Sequence, residues 1–385
     1  MKDKIETRCI HIENEDEHPY GAISYPIFQT ATFAHPGMGE STGFDYTRHR
    51  NPTRDRLEKI IASLENGVEA LACSSGMAAI STMMELFRPE DHLIIEEDLY
   101  GGSMRLFEHI SRKNQISFTS LDVSSEKLAQ HFMDRTRAVF IETPTNPMMH
   151  VVDIRMAAET AHTHGALLIV DNTFLSPYLQ NPLEMGADIV IHSGTKYLSG
   201  HNDTVAGFLI TNSPEIAEKL RFISKTTGAM LAPFDSWLVM RGIQTLPVRM
   251  KAAEENAIKL ADWLLTQEQV ISVYYPGLLT HPGHGIMKEQ ARGFGAMISF
   301  TVRSKEIAFG IVENIRLIQY AESLGGTETL LTYPLTQTHA EVSEELCEKN
   351  GITDCLLRLS VGIENVEDLI LDLVNAFYKA ETGAS

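Results

Sequence analysis

A carboxylate and an amine follow two short apolar segments in the middle of the chain. Ala166–Val170 and Ile189–Ile191 are rich in β-branched residues, a composition typical of buried parallel strands. Asp171 directly follows the first segment, and Lys196 stands a few residues after the second. Because ligands of an open α/β sheet bind outside the carboxyl ends of its strands, we expect both side chains at one rim of one sheet.

A lysine and an acid at one rim suit the chemistry of pyridoxal phosphate (PLP). This cofactor needs a lysine that binds it covalently and an acidic partner for its ring nitrogen. Lys196 would be the amine and Asp171 the acid, and the hydroxyls of Ser193 and Thr195 stand close enough in sequence to donate to a phosphate. The pattern alone has a simpler explanation, since a lysine or aspartate after a strand is usually a solvated loop or turn residue.

Two further strand ends carry groups that such a site would use. Ser75, Gly76 and Met77 stand where a predicted strand enters a helix, and the N–H groups of a helix N-terminus bind anions. Tyr100 follows the next strand and could lie flat against a heterocycle. The competing explanations are a simple helix cap and an ordinary loop tyrosine.

Asn146 and Arg358 are candidates for holding a substrate. Asn146 lies between two prolines in the segment TPTNP, which restrict the backbone around its amide. Arg358 ends a predicted strand, and a guanidinium is the group best suited to a bidentate grip on a carboxylate. An amino-acid substrate would need that grip, whereas a turn and a surface ion pair are the alternatives.

The composition argues against several classes of protein. The 385 residues include 51 acidic and 32 basic ones, and the net charge of −19 disfavours nucleic acid and anionic membranes as partners. The four cysteines form no Cys-x-x-Cys pair. The histidine pairs His162/His164 and His281/His284 have no set of cysteines or carboxylates to complete a ligand shell, so we predict no metal site. We see no signal peptide and no apolar run near the ~18 residues of a membrane span, and therefore expect a cytoplasmic protein.

Strand and helix patterns alternate from residue 51 to about residue 211, which predicts an α/β fold with a mainly parallel sheet and helices on both faces. A long helical stretch follows at Phe234–Thr266, with Pro247 as a kink or break. We predict three parts. Residues 1–50 are an aperiodic arm that contacts a neighbouring subunit, 51–248 form the cofactor-binding domain, and 249–385 form a smaller α+β domain.

Taken together, these residues resemble the Cys/Met-metabolism family of fold-type I PLP enzymes, which includes cystathionine γ-synthase and the cystathionine lyases. The matching blocks follow in order along nearly the whole chain: YPIFQTATF, YTRHRNPTR, SSGMAA, DLYGG, ETPTNP, VDNTF, HSGTKYLSGH, PFDSWL, RGIQTLPVRM, YPGL, GFGAMISF, SLGG, THA and LRLSVGIE. The resemblance implies an aminotransferase-like fold with a seven-stranded sheet.

The resemblance also implies roles for individual residues. Lys196 binds PLP covalently, Asp171 pairs with the ring nitrogen, and Tyr100 stacks on the ring and handles protons. The cofactor further contacts Ser75, Gly76, Met77, Asn146, Thr173, Ser193 and Thr195, and, from the adjacent subunit, Tyr46 and Arg48. Asn146 and Arg358 bind the substrate carboxylate, and Thr329, Asp45 and Arg50 also face the substrate. The implied assembly is a homotetramer made of two dimers that share active sites.

The implied activity is trans-sulfuration of an amino acid with a γ-substituent, most like cystathionine γ-synthase, in which a thiol replaces the γ-group of an activated homoserine ester. The close alternatives are cystathionine β- or γ-lyase, O-acetylhomoserine sulfhydrylase and methionine γ-lyase. An alternative of another class is an idle PLP protein that acts as a regulator or scaffold.

A few positions bear on the choice among these activities. Gly102 stands where methionine γ-lyases usually carry a cysteine, and Asp45 also looks synthase-like. Three blocks depart from the usual family sequence. Arg50 stands in place of a glycine, and Asn202 and Thr329 each stand in place of a serine. Arg50 would give the site a basic lip that favours substrates with an acidic tail, unless it is a solvated surface charge.

Overall fold

The computed structural model describes residues 3–11, 21–123, 127–338, 340 and 344–383. A seven-stranded sheet forms the larger part of the molecule, in the spatial order β1-β7-β6-β5-β4-β2-β3. Its strands are β1 (Glu69–Cys73), β2 (His92–Glu96), β3 (Ser117–Leu121), β4 (Thr136–Glu142), β5 (Leu167–Asp171), β6 (Ile189–Ser193) and β7 (Gly207–Thr211). Only β7 runs against the others, so the predicted, mainly parallel sheet is confirmed.

Nine helices accompany this sheet: α1 (Ile5–Arg8), α2 (Pro52–Glu65), α3 (Gly76–Met84), α4 (Gly101–Asn114), α5 (Ile154–Thr163), α6 (Ser176–Leu179), α7 (Pro214–Thr227), α8 (Pro233–Ile243) and α9 (Leu246–Leu264), counted over the described residues. Alternate residues of each strand enter two separate hydrophobic cores. One core includes residues of α2, α5 and α9, and the other includes residues of α3, α4 and α7. Both faces of the sheet are therefore covered, which explains the continuous apolar runs of its strands.

Local signals in the sequence set the ends of α2. The Asn51 side chain accepts a hydrogen bond from the backbone N–H of Thr53 at 3.0 Å, and Pro52 occupies the first turn. At the other end Asn66 adopts a left-handed conformation with φ 59°, which terminates the helix. Leu57 and Ile61, four residues apart on one face of the helix, are fully buried.

The long helical stretch predicted at Phe234–Thr266 is two helices, α8 and α9, separated by Gln244 and Thr245. Pro247 lies in the first turn of α9. Backbone N–H groups there have no carbonyl partner within the helix, so a proline costs no hydrogen bond. α9 packs against α6, which accompanies the larger sheet, and against two strands of the smaller C-terminal sheet. The predicted domain boundary at residue 248 falls inside it. That boundary stays a prediction.

A five-stranded sheet, in the order β10-β11-β12-β9-β8, forms the smaller C-terminal part. Its elements are β8 (Val270–Tyr274), α10 (His284–Gln290), β9 (Met297–Val302), α11 (Lys305–Asn314), β10 (Gln319–Tyr320), β11 (Leu330–Thr332), α12 (Glu344–Lys349), β12 (Leu356–Ser360) and α13 (Val366–Thr382). None of the described helices combines the length and apolarity that a bilayer crossing requires.

The N-terminal arm has little regular structure. Residues 22–50 form no helix and no strand beyond the isolated bridge between Thr32 and Tyr46. Part of the arm is fastened to its own chain, since the Trp237 indole N–H of α8 donates to the Tyr25 carbonyl at 3.1 Å. The predicted contact of the arm with a neighbouring subunit remains a prediction.

Candidate active site

A cavity of about 280 Å³ opens at the carboxyl ends of β4, β5 and β6, where it is closed by a loop and a strand of the smaller sheet. Eleven of the predicted residues line it: Ser75, Gly76, Met77, Tyr100, Asn146, Asp171, Thr173, Ser193, Thr195, Lys196 and Arg358. They come from six separate parts of the chain. The cavity therefore lies at the edge of the sheet where ligands of parallel sheets bind.

Lys196 lies just after β6, and its half-buried side chain lines the cavity. Its Nζ donates to the Ser323 hydroxyl at 2.8 Å. Burial, together with the positive charge of Arg358, lowers the pKa of Lys196 to about 8. A substantial fraction of this amine is consequently neutral near physiological pH, as a nucleophile or base requires.

Asp171 ends β5 and receives two hydrogen bonds from one residue. Thr173 donates its hydroxyl at 2.5 Å and its backbone N–H at 3.0 Å to the same carboxylate oxygen. The Thr173 hydroxyl in turn accepts from the backbone N–H of Ser193 at 2.8 Å. Burial raises the pKa of Asp171, while the two bonds from Thr173 oppose that shift. The carboxylate is thus fixed in direction at the floor of the cavity.

An anion cradle is formed where α3 begins. The Ser75 hydroxyl caps the helix by accepting from the Ala78 N–H at 2.9 Å, which leaves the first-turn N–H groups of Gly76 and Met77 pointing outward from the helix end. A Cβ on Gly207, at the start of β7, would stand 2.0 Å from the Ser75 carbonyl oxygen. The cradle therefore depends on a close approach that only glycine permits.

Arg358, on β12, is fully buried at the opposite side of the cavity. Its Nη1 donates to the Asn146 side-chain oxygen at 2.7 Å, and its Nη2 donates to the Ser323 carbonyl at 3.1 Å and the Thr332 hydroxyl at 3.2 Å. Its Nε has no partner among the described residues. Burial lowers the pKa of Arg358 to about 10. A buried guanidinium with a spare donor fits a carboxylate ligand.

Four carboxyl or hydroxyl groups of the cavity, those of Glu142, Glu322, Ser323 and Thr338, were missed in the sequence. Glu142 ends β4 beside Asp171, and the rule that singled out Asp171 applies to it equally. Glu322 and Ser323 lie in the loop before the SLGG glycines, where no periodic pattern marks them. Their position became visible only through the docking of the smaller sheet on the larger one.

Four residues of the arm do not reach the cavity of their own chain. Tyr46 is 43% exposed, and the Arg48 guanidinium lies 5.6 Å from its ring centre and donates to the Lys225 carbonyl. Asp45 accepts from the Ser41 hydroxyl at 2.6 Å. Arg50 donates to Asp55 through Nε at 3.1 Å. Their predicted roles at the site would have to be performed in a neighbouring subunit.

Thr329 is also absent from the cavity lining. It is fully buried, its hydroxyl donates to Glu364 at 2.7 Å, and the same hydroxyl accepts from the Gly362 N–H at 2.9 Å. The side chain is therefore occupied in joining two loops of the smaller sheet. Its predicted contact with the substrate stays a prediction that this arrangement does not favour.

Residues 6–378 match a family model described as Cys/Met metabolism PLP-dependent enzyme. The chain belongs to this family. The resemblance drawn from the ordered sequence blocks is thereby confirmed, and so are the PLP cofactor and the enzymatic nature of the protein. Relatives of the chain include a cystathionine lyase and a cystathionine synthase, which argues against the alternative of an idle regulator.

Similar proteins of the family carry different reaction names. The chain is 46% identical to cystathionine beta-lyase of Lactococcus lactis subsp. cremoris over 97% of its own length and 99% of the relative. It is 46% identical to cystathionine gamma-synthase/O-acetylhomoserine (thiol)-lyase of Bacillus subtilis, over 100% and 99%. The crystal structure of cystathionine gamma synthase from Xanthomonas oryzae pv. oryzae superposes with a TM-score of 0.97 at 39% identity, and the match covers both chains fully.

The cavity fits the cofactor of the family. The α3 cradle matches a phosphate, the anchored carboxylate of Asp171 matches a protonated ring nitrogen, and Lys196 supplies the amine. The Tyr100 ring lies over Gly102, where a Cβ would stand 2.4 Å from a ring carbon. Glycine at this position therefore permits the observed orientation of the tyrosine.

Proposed function

We propose that this PLP-dependent enzyme catalyses trans-sulfuration, most like cystathionine γ-synthase, by replacing the γ-substituent of an activated homoserine ester with a thiol. The observation that supports an amino-acid substrate is the buried pair of Arg358 and Asn146, whose spare Nε donor is ready for a carboxylate. Gly102 beneath the Tyr100 ring supports a synthase over a methionine γ-lyase, because a cysteine there would displace the ring.

When bound, PLP supplies an electron sink for the charge that develops at the substrate Cα. Lys196, as the neutral amine, removes the Cα proton of a substrate whose carboxylate Arg358 and Asn146 hold. Loss of a second proton, from Cβ, would allow the Cγ bond to the leaving group to break. The thiol sulfur would then bond to Cγ, and protons would return to Cβ and Cα, so that the leaving group departs with the proton of the thiol. Asp171 keeps the ring nitrogen protonated, and Tyr100 holds or moves a proton above the ring.

We also propose that the other predicted residues surround the cofactor. Ser75, Gly76, Met77, Ser193 and Thr195 bind its phosphate, and Thr173 anchors Asp171. Tyr46 and Arg48 complete the site of a neighbouring subunit within a homotetramer of two active-site dimers. The exposure of Tyr46 and the distance of the arm from its own cavity support this assignment. All four cysteines are free thiols, which supports a cytoplasmic location.

The second candidate is elimination rather than replacement, which would make the protein a cystathionine β- or γ-lyase. The beta-lyase of Lactococcus and the synthase of Bacillus are both 46% identical to this chain. This equal identity favours keeping elimination beside replacement as a candidate reaction. The O-acetylhomoserine sulfhydrylase reaction differs from the leading proposal only in the thiol.

A substrate panel with product identification tests the proposal. O-Acylhomoserine with cysteine should give cystathionine, and this reaction should be faster than the release of pyruvate or 2-oxobutyrate from cystathionine. Methionine should be a poor substrate. Lys196→Ala serves as the control for background chemistry. A dominant yield of pyruvate with homocysteine would identify a β-lyase, and 2-oxobutyrate with cysteine would identify a γ-lyase.

A further inference from the structure

Glu142 lines the cavity, but the proposed mechanism gives it no role. It is the last residue of β4, paired in register with Asp171 on β5, and its side chain is buried. Its Oε2 accepts a hydrogen bond from the backbone N–H of Tyr100 at 3.1 Å. We propose that Glu142 is a positioning residue that stays protonated, holds Tyr100 in place and leaves Asp171 as the single anion facing the cofactor ring. The inference rests on the proposed PLP chemistry.

The hydrogen bonds show which of the two neighbouring carboxyl groups carries the charge. Asp171 receives two hydrogen bonds from Thr173, whereas Glu142 receives one, from Tyr100, among the described residues. Each donor stabilises a carboxylate, and two carboxylates on adjacent strands repel each other. Ionisation is therefore concentrated on Asp171. Burial and the charge of Asp171 raise the pKa of Glu142 well above its ordinary value.

Charged groups from three other elements also face Glu142. Asp98, in the loop after β2, repels a negative charge there, and Arg358 of β12 attracts one. Asp171 of β5 adds the stronger repulsion, and His192 of β6 favours the anion on Asp171 rather than on Glu142. Burial outweighs the attraction of Arg358, which is itself shared with Asn146.

Tyr100 needs such a support because it stands at the boundary of α4 without a side-chain cap. Its carbonyl accepts from the N–H groups of Ser103 at 2.9 Å and Met104 at 3.2 Å, which fixes the helical side of the residue. Its own N–H is held by Glu142 alone among the described hydrogen bonds. A neutral carboxyl or amide oxygen satisfies that N–H as well as a carboxylate does, and an alanine leaves it without a partner.

The first experiment compares three variants of the holoenzyme by steady-state kinetics. Glu142→Gln keeps an acceptor oxygen, Glu142→Ala removes it, and Glu142→Asp keeps the acid but shortens its reach. We expect Ala and Asp to lower kcat about tenfold more than Gln does, with smaller changes in the substrate KM. Equal losses of kcat in Gln and Ala would show that the reaction needs a Glu142 anion and would overturn the proposal.

The second experiment measures urea unfolding of the apoprotein against pH and needs no turnover. A buried carboxyl with a raised pKa binds more protons when folded, so wild type should lose stability relative to Glu142→Gln as pH rises above the ordinary ~4.3 of glutamate. Parallel stability curves for the two proteins would mean that Glu142 is ionised, and would overturn the proposal even if the alanine variant fails to fold.

Glu96→Gln is the matched control. Glu96 is buried at the end of β2, accepts from the backbone N–H groups of Asp98 and Val123, and has a pKa raised by burial to about 8, but it lies outside the cavity. The Glu96→Gln variant should change the pH dependence of unfolding and leave kcat unchanged. Failure of the proposed function would appear separately, as absent turnover in the wild-type substrate panel.

Discussion

Lys196 and Arg358 both line the cavity, and the positive charge of Arg358 disfavours the protonated form of the lysine. Their repulsion contributes to the lowered pKa of the lysine, whose burial is the larger cause. In the proposed mechanism the same arginine would offer its spare Nε to the substrate carboxylate. Arg358 would thus lower the pKa of the amine before the substrate arrives, and the bound carboxylate would then offset part of the positive charge.

The pH dependence of cofactor capture reports on Lys196. Since the neutral amine forms above a pKa of about 8, PLP binding by the apoprotein should rise between pH 7 and 9 and then level off. The visible absorbance of the lysine-bound cofactor measures it. Arg358→Gln should move the rise to higher pH by removing a repelling charge, and Lys196→Ala should give no absorbance. A rise that continues toward pH 10.5 would contradict a perturbed lysine.

Arg358→Ala should raise the KM of the amino-acid substrate. The substrate carboxylate loses a charge-assisted partner worth ~1.5–3 kcal/mol, which corresponds to roughly ten- to 150-fold. Initial rates against substrate concentration measure the change. Arg292→Ala is the control, because Arg292 donates to backbone carbonyls of Pro177 and Tyr178 outside the cavity. An unchanged KM in Arg358→Ala would mean that another cation holds the carboxylate.

Asp171→Asn should retain most of the PLP and lose most of kcat. An amide cannot hold the ring nitrogen protonated, although it still accepts the hydrogen bonds from Thr173. Cofactor content by absorbance and kcat on the preferred substrate separate the two effects. Near-normal turnover would place the required acid elsewhere, and Glu142 on the neighbouring strand would be the first residue to examine.

The strands and helices of the larger sheet could be predicted from the sequence. The loop and strand of the smaller sheet that close the cavity could not. The alternation of strands and helices predicted from residue 51 to about residue 211 is present, and the residues after β5 and β6 meet as the parallel-strand rule requires. Glu322 and Ser323 escaped because they belong to a loop of the other sheet, and their distance from Lys196 depends on long-range packing. Local periodicity carries no information about such contacts.

The loop between β6 and β7 is joined to the loop before β11 by a hydrogen bond between Asn202 and Glu328 at 2.8 Å. Asn202 has φ 54°, a left-handed conformation that asparagine tolerates better than alanine. Asn202→Ala should therefore destabilise the protein by about 1–2 kcal/mol more than Asn202→Gly, since both lose the bond but only alanine is strained. Urea unfolding of the two apoproteins measures the difference. Equal stabilities would mean that the backbone there relaxes freely.

For the whole molecule, complementation tests whether active sites are shared between subunits. If Tyr46 acts in the site of a neighbour, mixed dimers of inactive Tyr46→Ala and inactive Lys196→Ala chains contain one site with both residues intact. Activity should reappear after the two are refolded together. Tyr100→Ala mixed with Lys196→Ala is the control and should stay inactive, because both residues line the cavity of their own chain. No recovery in verified heterodimers would contradict the shared site.

The reversed direction of β7 has a thermodynamic consequence for the whole site. Ser193 at the end of β6 is paired with Gly207 at the start of β7, so the segment that carries Lys196 is pinned at both ends in adjacent strands. Tyr197, Leu198 and Ala206 within it are buried. This segment is ordered by the protein interior before any ligand arrives, so little conformational entropy is lost when PLP binds. The affinity for the cofactor is then set by its contacts, and a calorimetric titration of the apoprotein should show a correspondingly small ordering penalty.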